Sequence, residues 1–249
     1  MLGAADGVIA YSEEVAADLK RRGISSDKVF VSCNTLDVAT IARQVDGVSL
    51  AKMEEARNEL GIGGGQLVLY LGRLVKEKHP FLLLDAAHLA QMKGHPFHVA
   101  FIGDGPLASE LTEMKSRLGL RTVKLLGHLP MEDVAVYLKL ADVVCVPGIT
   151  GLALVHAFAA GRPYLTCDVG GHGPEIGYLR DGENGQMVPK ASAEDLARAL
   201  TLLLSDDTRR RRMGGRARTF ALEECSMEQQ VNGFINAIRS VSGDMRLRT

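Results

Sequence analysis

Two cations stand five residues apart just past an apolar run in "YLGRLVKEKHP": Arg73 and Lys78, behind Gly72. At the end of a strand they could converge on one anion, with charge-assisted hydrogen bonds to phosphate oxygens. A solvated basic loop has the same composition, so charge alone leaves both readings open. Four more stretches set glycine beside polar groups. "FIGDGPLASEL" has Gly103 and Gly105 before Pro106, which suits the first turn of a helix. The third glycine of the dinucleotide fingerprint is missing there, and a plain tight connection reads equally well. "LLGHLPMEDV" offers Gly127 and His128, where a planar base could lie against backbone, or where an ordinary exposed loop could run. "VPGITGLALVHAFAAGRPYLT" places Gly148, Gly151 and Leu152 at a helix start, whose free amides and partial positive charge suit a phosphate. It also carries His156 one turn on, either a core residue or a neutral acceptor that is lost below the ordinary histidine pKa of about 6.5. "GGHGPEIGYLRDGENG" is rich in glycine and puts Glu175 at a helix start, as a cap or a ligand-facing carboxylate.

The elements that must hold these loops follow from periodicity. Apolar runs of strand length at 7–11, 28–32, 66–71, 98–102, 122–126, 143–146, 164–167 and 185–188 alternate with amphipathic segments of helix length. The stretch 38–61 reads as mostly helical, and 207 to about 240 as a charged helical end. Strands that are apolar along their length and separated by helices predict a parallel sheet covered on both faces. In such sheets ligands bind beyond the carboxyl ends of the strands, and each of the five loops lies at such an end.

Composition narrows the field. The chain has 249 residues, 46% hydrophobic and 24% charged, with a net charge of −1, which offers no global field for nucleic acid. Tryptophan is absent and aromatics are 5%, which argues against a base-stacking platform. No apolar run is long enough to cross a bilayer, and the first six residues lack the pattern of a secretion leader. The four cysteines, Cys33, Cys145, Cys167 and Cys225, form no CxxC pair and read as buried thiols of a reducing compartment rather than metal ligands. The run "RRRRMGGRAR", 209–218, reads as a solvated basic face.

Taken in order, these motifs resemble the retaining group 1 glycosyltransferases of the GT-B fold, which have two Rossmann-like domains. Gly72, Arg73 and Lys78 match that family's Gly-Arg…Lys loop, and Gly103 to Pro106 its IGxGP turn. The Gly151–Leu152 helix start, Gly161 and Pro163, and the Pro174-Glu175 stretch with its DGENG turn also fall in family order. The resemblance covers the donor-binding domain, about residues 37–204. It implies an α/β fold: one Rossmann-like donor domain at 37–206, a small β-α-β remnant of the acceptor-binding domain at 1–36, and a helical tail at 207–249 that returns to the remnant and docks on it. It further implies a nucleoside-diphosphate sugar as substrate, no cofactor and no metal. Arg73 and Lys78 would neutralise the diphosphate as the catalytic pair, with Gly127 and His128 at the base and Gly151 and Leu152 at phosphate or sugar.

The family's paired glutamates fall on Gly148 and His156, a departure that bears on sugar choice and on activity. A separate acceptor-domain subunit or self-association would then complete the site, in the cytoplasm or at the inner membrane face, with the isolated chain turning over little. The alternatives are a non-enzymatic nucleotide-sugar-binding or scaffold paralogue and a sugar-nucleotide epimerase-like domain.

Overall fold

The computed structural model describes residues 5–242. The expected alternation resolves into two parallel sheets. The larger has six strands: β3 (Leu67–Leu71), β4 (His98–Ile102), β5 (Val123–Gly127), β6 (Val143–Cys145), β7 (Tyr164–Cys167) and β8 (Gly185–Val188). Their order across the sheet is β5-β4-β3-β6-β7-β8, all parallel. The chain runs outward from β3 to β5 and then restarts at β6 on the other side of β3. That reversal opens a crevice beyond the carboxyl ends of β3 and β6.

Helices cover both faces. α4 (Pro80–Met92) packs with α5 (Ala108–Arg117) and α8 (Ala193–Ser205). α2 (Val38–Asp46), α3 (Leu50–Leu60), α6 (Met131–Leu140), α7 (Ala153–Ala159) and α9 (Asp207–Glu223) form the other layer. Burial on both sides explains why the central strands are apolar without alternation: Val68, Leu69, Val143, Val144, Cys145 and Leu165 are all fully buried.

The smaller sheet pairs β1 (Val8–Ala10) with β2 (Val29–Val31) around α1 (Glu13–Arg21), whose Ser12 cap accepts from Val15 N. Two strands alone are marginal, and α10 (Met227–Ser242) supplies the cover. Ser32 Oγ donates to Gln230 O at 2.9 Å. At Gly233 a Cβ would stand 2.7 Å from Ser32 Cα, so the helix backbone lies directly on the strand end. α10 is therefore packed on both strands of the small sheet. Met227, Val231, Phe234, Ile238 and Val241 of α10 remain at least 38% exposed.

Several boundaries differ from expectation. The stretch 38–61 is two helices, because Gly47 ends α2 and Ser49 caps α3 through Lys52 N at 3.3 Å. The charged tail likewise breaks between Glu223 and Met227, and Cys225 is buried in the break. Cys33 Sγ donates to Ser226 O at 3.9 Å and Cys225 Sγ to Asn34 O at 4.0 Å, so two thiols distant in sequence tie the same break to the 33–34 segment. Pro106 precedes α5, which starts at Ala108. Residues 209–218 are not a wholly solvated face, since Arg210 is buried.

Candidate functional site

The loops after β3 and β6 are zipped together across the crevice. Gly148 N donates to Lys78 O at 3.1 Å and Ile149 N to Glu77 O at 2.7 Å. A Cβ on residue 148 would stand 2.6 Å from Lys78 Cα, so only glycine permits this approach. The contact fixes Lys78, whose Nζ donates to Ile149 O at 3.4 Å. Burial holds the Lys78 ammonium below its ordinary pKa, opposed by the nearby Glu175 carboxylate. Arg73 is exposed on the same loop and forms no ion pair among the described residues. Its carbonyl is anchored by the Tyr70 hydroxyl at 3.1 Å.

The glycines of "FIGDGP" serve the loop from below. Gly103 has φ 135°, and a Cβ there would stand 2.7 Å from Gly72 C; one on Gly105 would stand 2.8 Å from Leu74 C. Gly72 N donates to Ile102 O at 2.9 Å and Gly103 N to Gly127 O at 2.8 Å, tying the ends of β3, β4 and β5. Close stacking of backbones thus accounts for these glycines. Gly127 and His128 are exposed at the end of β5, the edge strand, two strands away from β3.

The other wall uses residues to which the sequence reading assigned no role. Thr150 N donates to His172 Nδ1 at 3.0 Å, and His172 Nε2 lies 3.0 Å from Cys167 O. Accepting at Nδ1 fixes the proton on Nε2, and burial keeps the ring pKa below its usual value. Thr166 Oγ1 donates to Gly148 O at 3.2 Å, supporting the same loop from β7. Glu175 is buried and accepts from Asn34 Nδ2, while the Tyr178 hydroxyl donates to Tyr11 O at 2.8 Å and Asn34 O at 3.2 Å. The segment 174–178 therefore joins the small sheet to the crevice, with Glu175 at the junction. Only the His172 and Asn34 residue types, unassigned within "GGHGPE" and "SCNTLDV", hinted at this wall.

α7 begins at Ala153, and among the described residues the amides of Gly151, Leu152 and Ala153 have no acceptor. His156 is the one residue of α7 that is not buried. Its Nδ1 is sealed off without a partner, and burial pushes its pKa down to about 4. The ring is therefore neutral well below pH 6.5, contrary to the titration expected from sequence. An unprotonated Nδ1 spares a buried N–H without an acceptor, which puts the proton on Nε2 and makes the ring a donor rather than an acceptor.

The structure thus brings Gly72, Arg73, Lys78, Gly148 and Glu175 to the crevice, with Gly151 and Leu152 on its β6 side. It uses Gly103 and Gly105 as packing beneath, and leaves His128 at the edge. Among the described residues, no cluster of His, Cys, Asp or Glu is arranged to hold a metal ion, and no helix is long and apolar enough to cross a membrane.

Sequence comparison places this architecture. The family of glycosyl transferases, group 1, matches residues 52–220. The chain belongs to that family. A D-inositol 3-phosphate glycosyltransferase of Nocardia farcinica is 32% identical over 231 residues, 87% of this chain and 49% of the relative. The alpha-D-kanosaminyltransferase of Streptomyces kanamyceticus is 28% identical over 176 residues, 69% of this chain and 45% of the relative. The chain spans about half the length of the curated relatives it matches. Among solved structures, Anabaena HepE in complex with UDP has a TM-score of 0.77 at 22% identity, covering 95% of this chain and 64% of that one. A glycosyltransferase from Rickettsia africae has a TM-score of 0.79 at 16% identity, covering 96% and 64%. These structures share the GT-B fold with this group 1 chain.

Proposed function

We propose that this chain is the donor-binding half of a retaining glycosyltransferase, with the crevice between β3 and β6 taking a nucleoside-diphosphate sugar. The observation that carries the reading is the pairing of Lys78 and Arg73 on one loop, with no carboxylate in ion-pair contact among the described residues, at the point where strand order reverses. Similarity to HepE, solved with UDP, supports the diphosphate. In transfer, an acceptor hydroxyl oxygen bonds to the anomeric carbon as the bond from that carbon to the phosphate oxygen breaks; the diphosphate departs with the electron pair and takes up the hydroxyl proton. Arg73 and Lys78 meet the charge that develops there. Gly151 and Leu152 offer amides to phosphate or sugar, and His156 Nε2 offers a donor to a ribose hydroxyl. Glu175, hydrogen-bonded to Asn34, faces the sugar side.

The acceptor-binding half belongs beside β1 and β2, where the apolar stripe of α10 is uncovered. It is supplied by another part of the polypeptide, a partner subunit or a second copy. No cofactor enters this reaction, and the site works in the cytoplasm or at its membrane face. One observation favours a binding-only paralogue: the loop contact at Gly148 leaves no space for a side chain where the sequence pattern has a glutamate.

Calorimetry with UDP and GDP tests the donor reading. Arg73→Ala and Lys78→Ala should each weaken binding roughly ten- to hundred-fold, the weight of a charge-assisted bond to phosphate. Unchanged affinity in both variants rejects the diphosphate site. Sugar transfer that fails despite tight nucleotide binding, even with an acceptor-binding half present, selects the binding-only paralogue.

A further inference from the structure

The opposite end of the six-stranded sheet is also concave. The segments leading into β3, β6 and β7, with one face of α9, enclose a cavity of about 590 Å³. Six cations line it: Arg57, Lys139, Arg162, Arg210, Arg211 and Arg218. Three of them are engaged by carboxylates. Arg210 pairs with Asp142 and Asp207, both at 3.2 Å, Arg211 with Asp207 at 2.8 Å, and Arg218 with both oxygens of Asp46.

Among the described residues the other three form no ion pair, though Asp46 lies near Lys139 and Asp142 near Arg162. Arg57 donates to Gly63 O at 3.2 Å, Lys139 to Asp46 O at 2.8 Å and Val48 O at 3.3 Å, and Arg162 to Lys139 O. Arg162 also has its Nε buried with no acceptor, and burial lowers its pKa. A buried cationic donor without an acceptor is costly unless something supplies one. α9 also gives the lining two positions without side chains, Gly214 and Gly215. Gly214 is pressed against the Gly161 main chain, and a Cβ on Gly215 would meet nothing within 4 Å.

We propose that this cavity binds an anion carrying two or more phosphate groups, held chiefly by Arg57, Lys139 and Arg162. Three cations without a carboxylate in ion-pair contact among the described residues, around a cavity much larger than one phosphate, call for a multiply charged ligand rather than a single carboxylate. A free oligophosphate and a phosphorylated lipid headgroup share this chemistry. The site is separate from the crevice, since its lining segments precede β3, β6 and β7 whereas Lys78 follows β3.

Calorimetry of the full chain with inorganic tripolyphosphate, in saturating UDP, tests the proposal. Binding should weaken at least about tenfold in Lys139→Gln and in Arg57→Gln, and remain in Arg73→Ala. Both variants lose only bonds to main-chain carbonyls, so thermal melts should confirm that they fold. Flotation with vesicles containing phosphatidylinositol 4-phosphate, against phosphatidylcholine alone, is the second arm. Flotation that the same two variants abolish assigns the phosphates to a headgroup; tripolyphosphate binding without flotation assigns them to a soluble anion. Binding of neither probe, binding that Lys139→Gln and Arg57→Gln leave unchanged, or binding lost only in Arg73→Ala overturns the site. Failure of UDP itself to bind counts against the donor reading alone.

Discussion

Both ends of the six-stranded sheet gather positive charge, and they hold it differently. At the carboxyl end, Lys78 is positioned by main chain: its own carbonyl accepts from Gly148 N, and its ammonium donates to Ile149 O. At the amino end, Arg210 is clamped between Asp142 and Asp207, and Asp142 in turn accepts from Leu67 N at 2.9 Å. A cation held by carbonyl oxygens keeps its charge available to a ligand. One that is itself buried and paired with carboxylates is spent on joining α9 to the starts of β3 and β6.

Breaking the clamp should therefore give the largest effect on stability and none on the crevice. Arg210→Ala strands a partly buried Asp142 and should cost about 3 to 5 kcal/mol, read by chemical denaturation. UDP affinity of the folded variant should match wild type. A loss below about 1 kcal/mol would mean that the Arg210 pairs behave like surface pairs and that the two ends differ less than their geometry suggests.

The corresponding break at the crevice is Gly148→Ala. Its Cβ would collide with the Lys78 backbone, so the two loops must part, at about 1 to 3 kcal/mol. Nucleotide binding should fall with it, as in Lys78→Ala. Gly151→Ala is the control, because a Cβ there meets nothing within 4 Å and stability should be unchanged. If Gly148→Ala binds UDP like wild type, the loop contact does not position Lys78.

The same contrast shows what the sequence could reveal. The sheet was legible because its strands are buried on both faces and its helices are punctuated by caps such as Ser12 and Ser192. The crevice loops were legible because glycine and cations recur at strand ends. The reason for each glycine was not, since Gly103 and Gly148 answer to backbone that approaches from other strands. The protonation of His156 was equally hidden, because it depends on burial of Nδ1 rather than on residue type. Asn34 and Glu175 meet across 141 positions, a pairing that no local pattern encodes. The basic run 209–218 misled because only the fold puts Arg210 against Asp142.

His156 gives a smaller test, through pH. Its folded pKa, about 4, lies below the unfolded value, so the unfolded chain binds the extra proton first as pH drops. Stability should fall from about pH 6.5 towards pH 4. His98 and His172 are depressed by burial in the same sense, so the comparison must be with His156→Gln. That variant should reduce the loss at pH 5 by on the order of 1 kcal/mol. Parallel stability curves for the two proteins between pH 7 and 5 would show that His156 titrates normally.

The smallest expected signal belongs to Lys78 and addresses most directly whether its charge is available. Burial lowers its pKa in the free protein, and a bound diphosphate would raise it again. Where part of the free population is neutral, binding must take up the missing fraction of a proton, and that fraction grows as pH rises. UDP calorimetry at neutral and at alkaline pH, in two buffers of different ionisation enthalpy, should then give a larger difference in apparent heat at alkaline pH. Lys78→Met should remove this contribution at both pH values, whereas Arg73→Ala should retain it, because Lys78 is still present. Equal heats for wild type at both pH values would place the diphosphate away from Lys78, and with it would go the distinction between the available cation at this end of the sheet and the clamped one at the other.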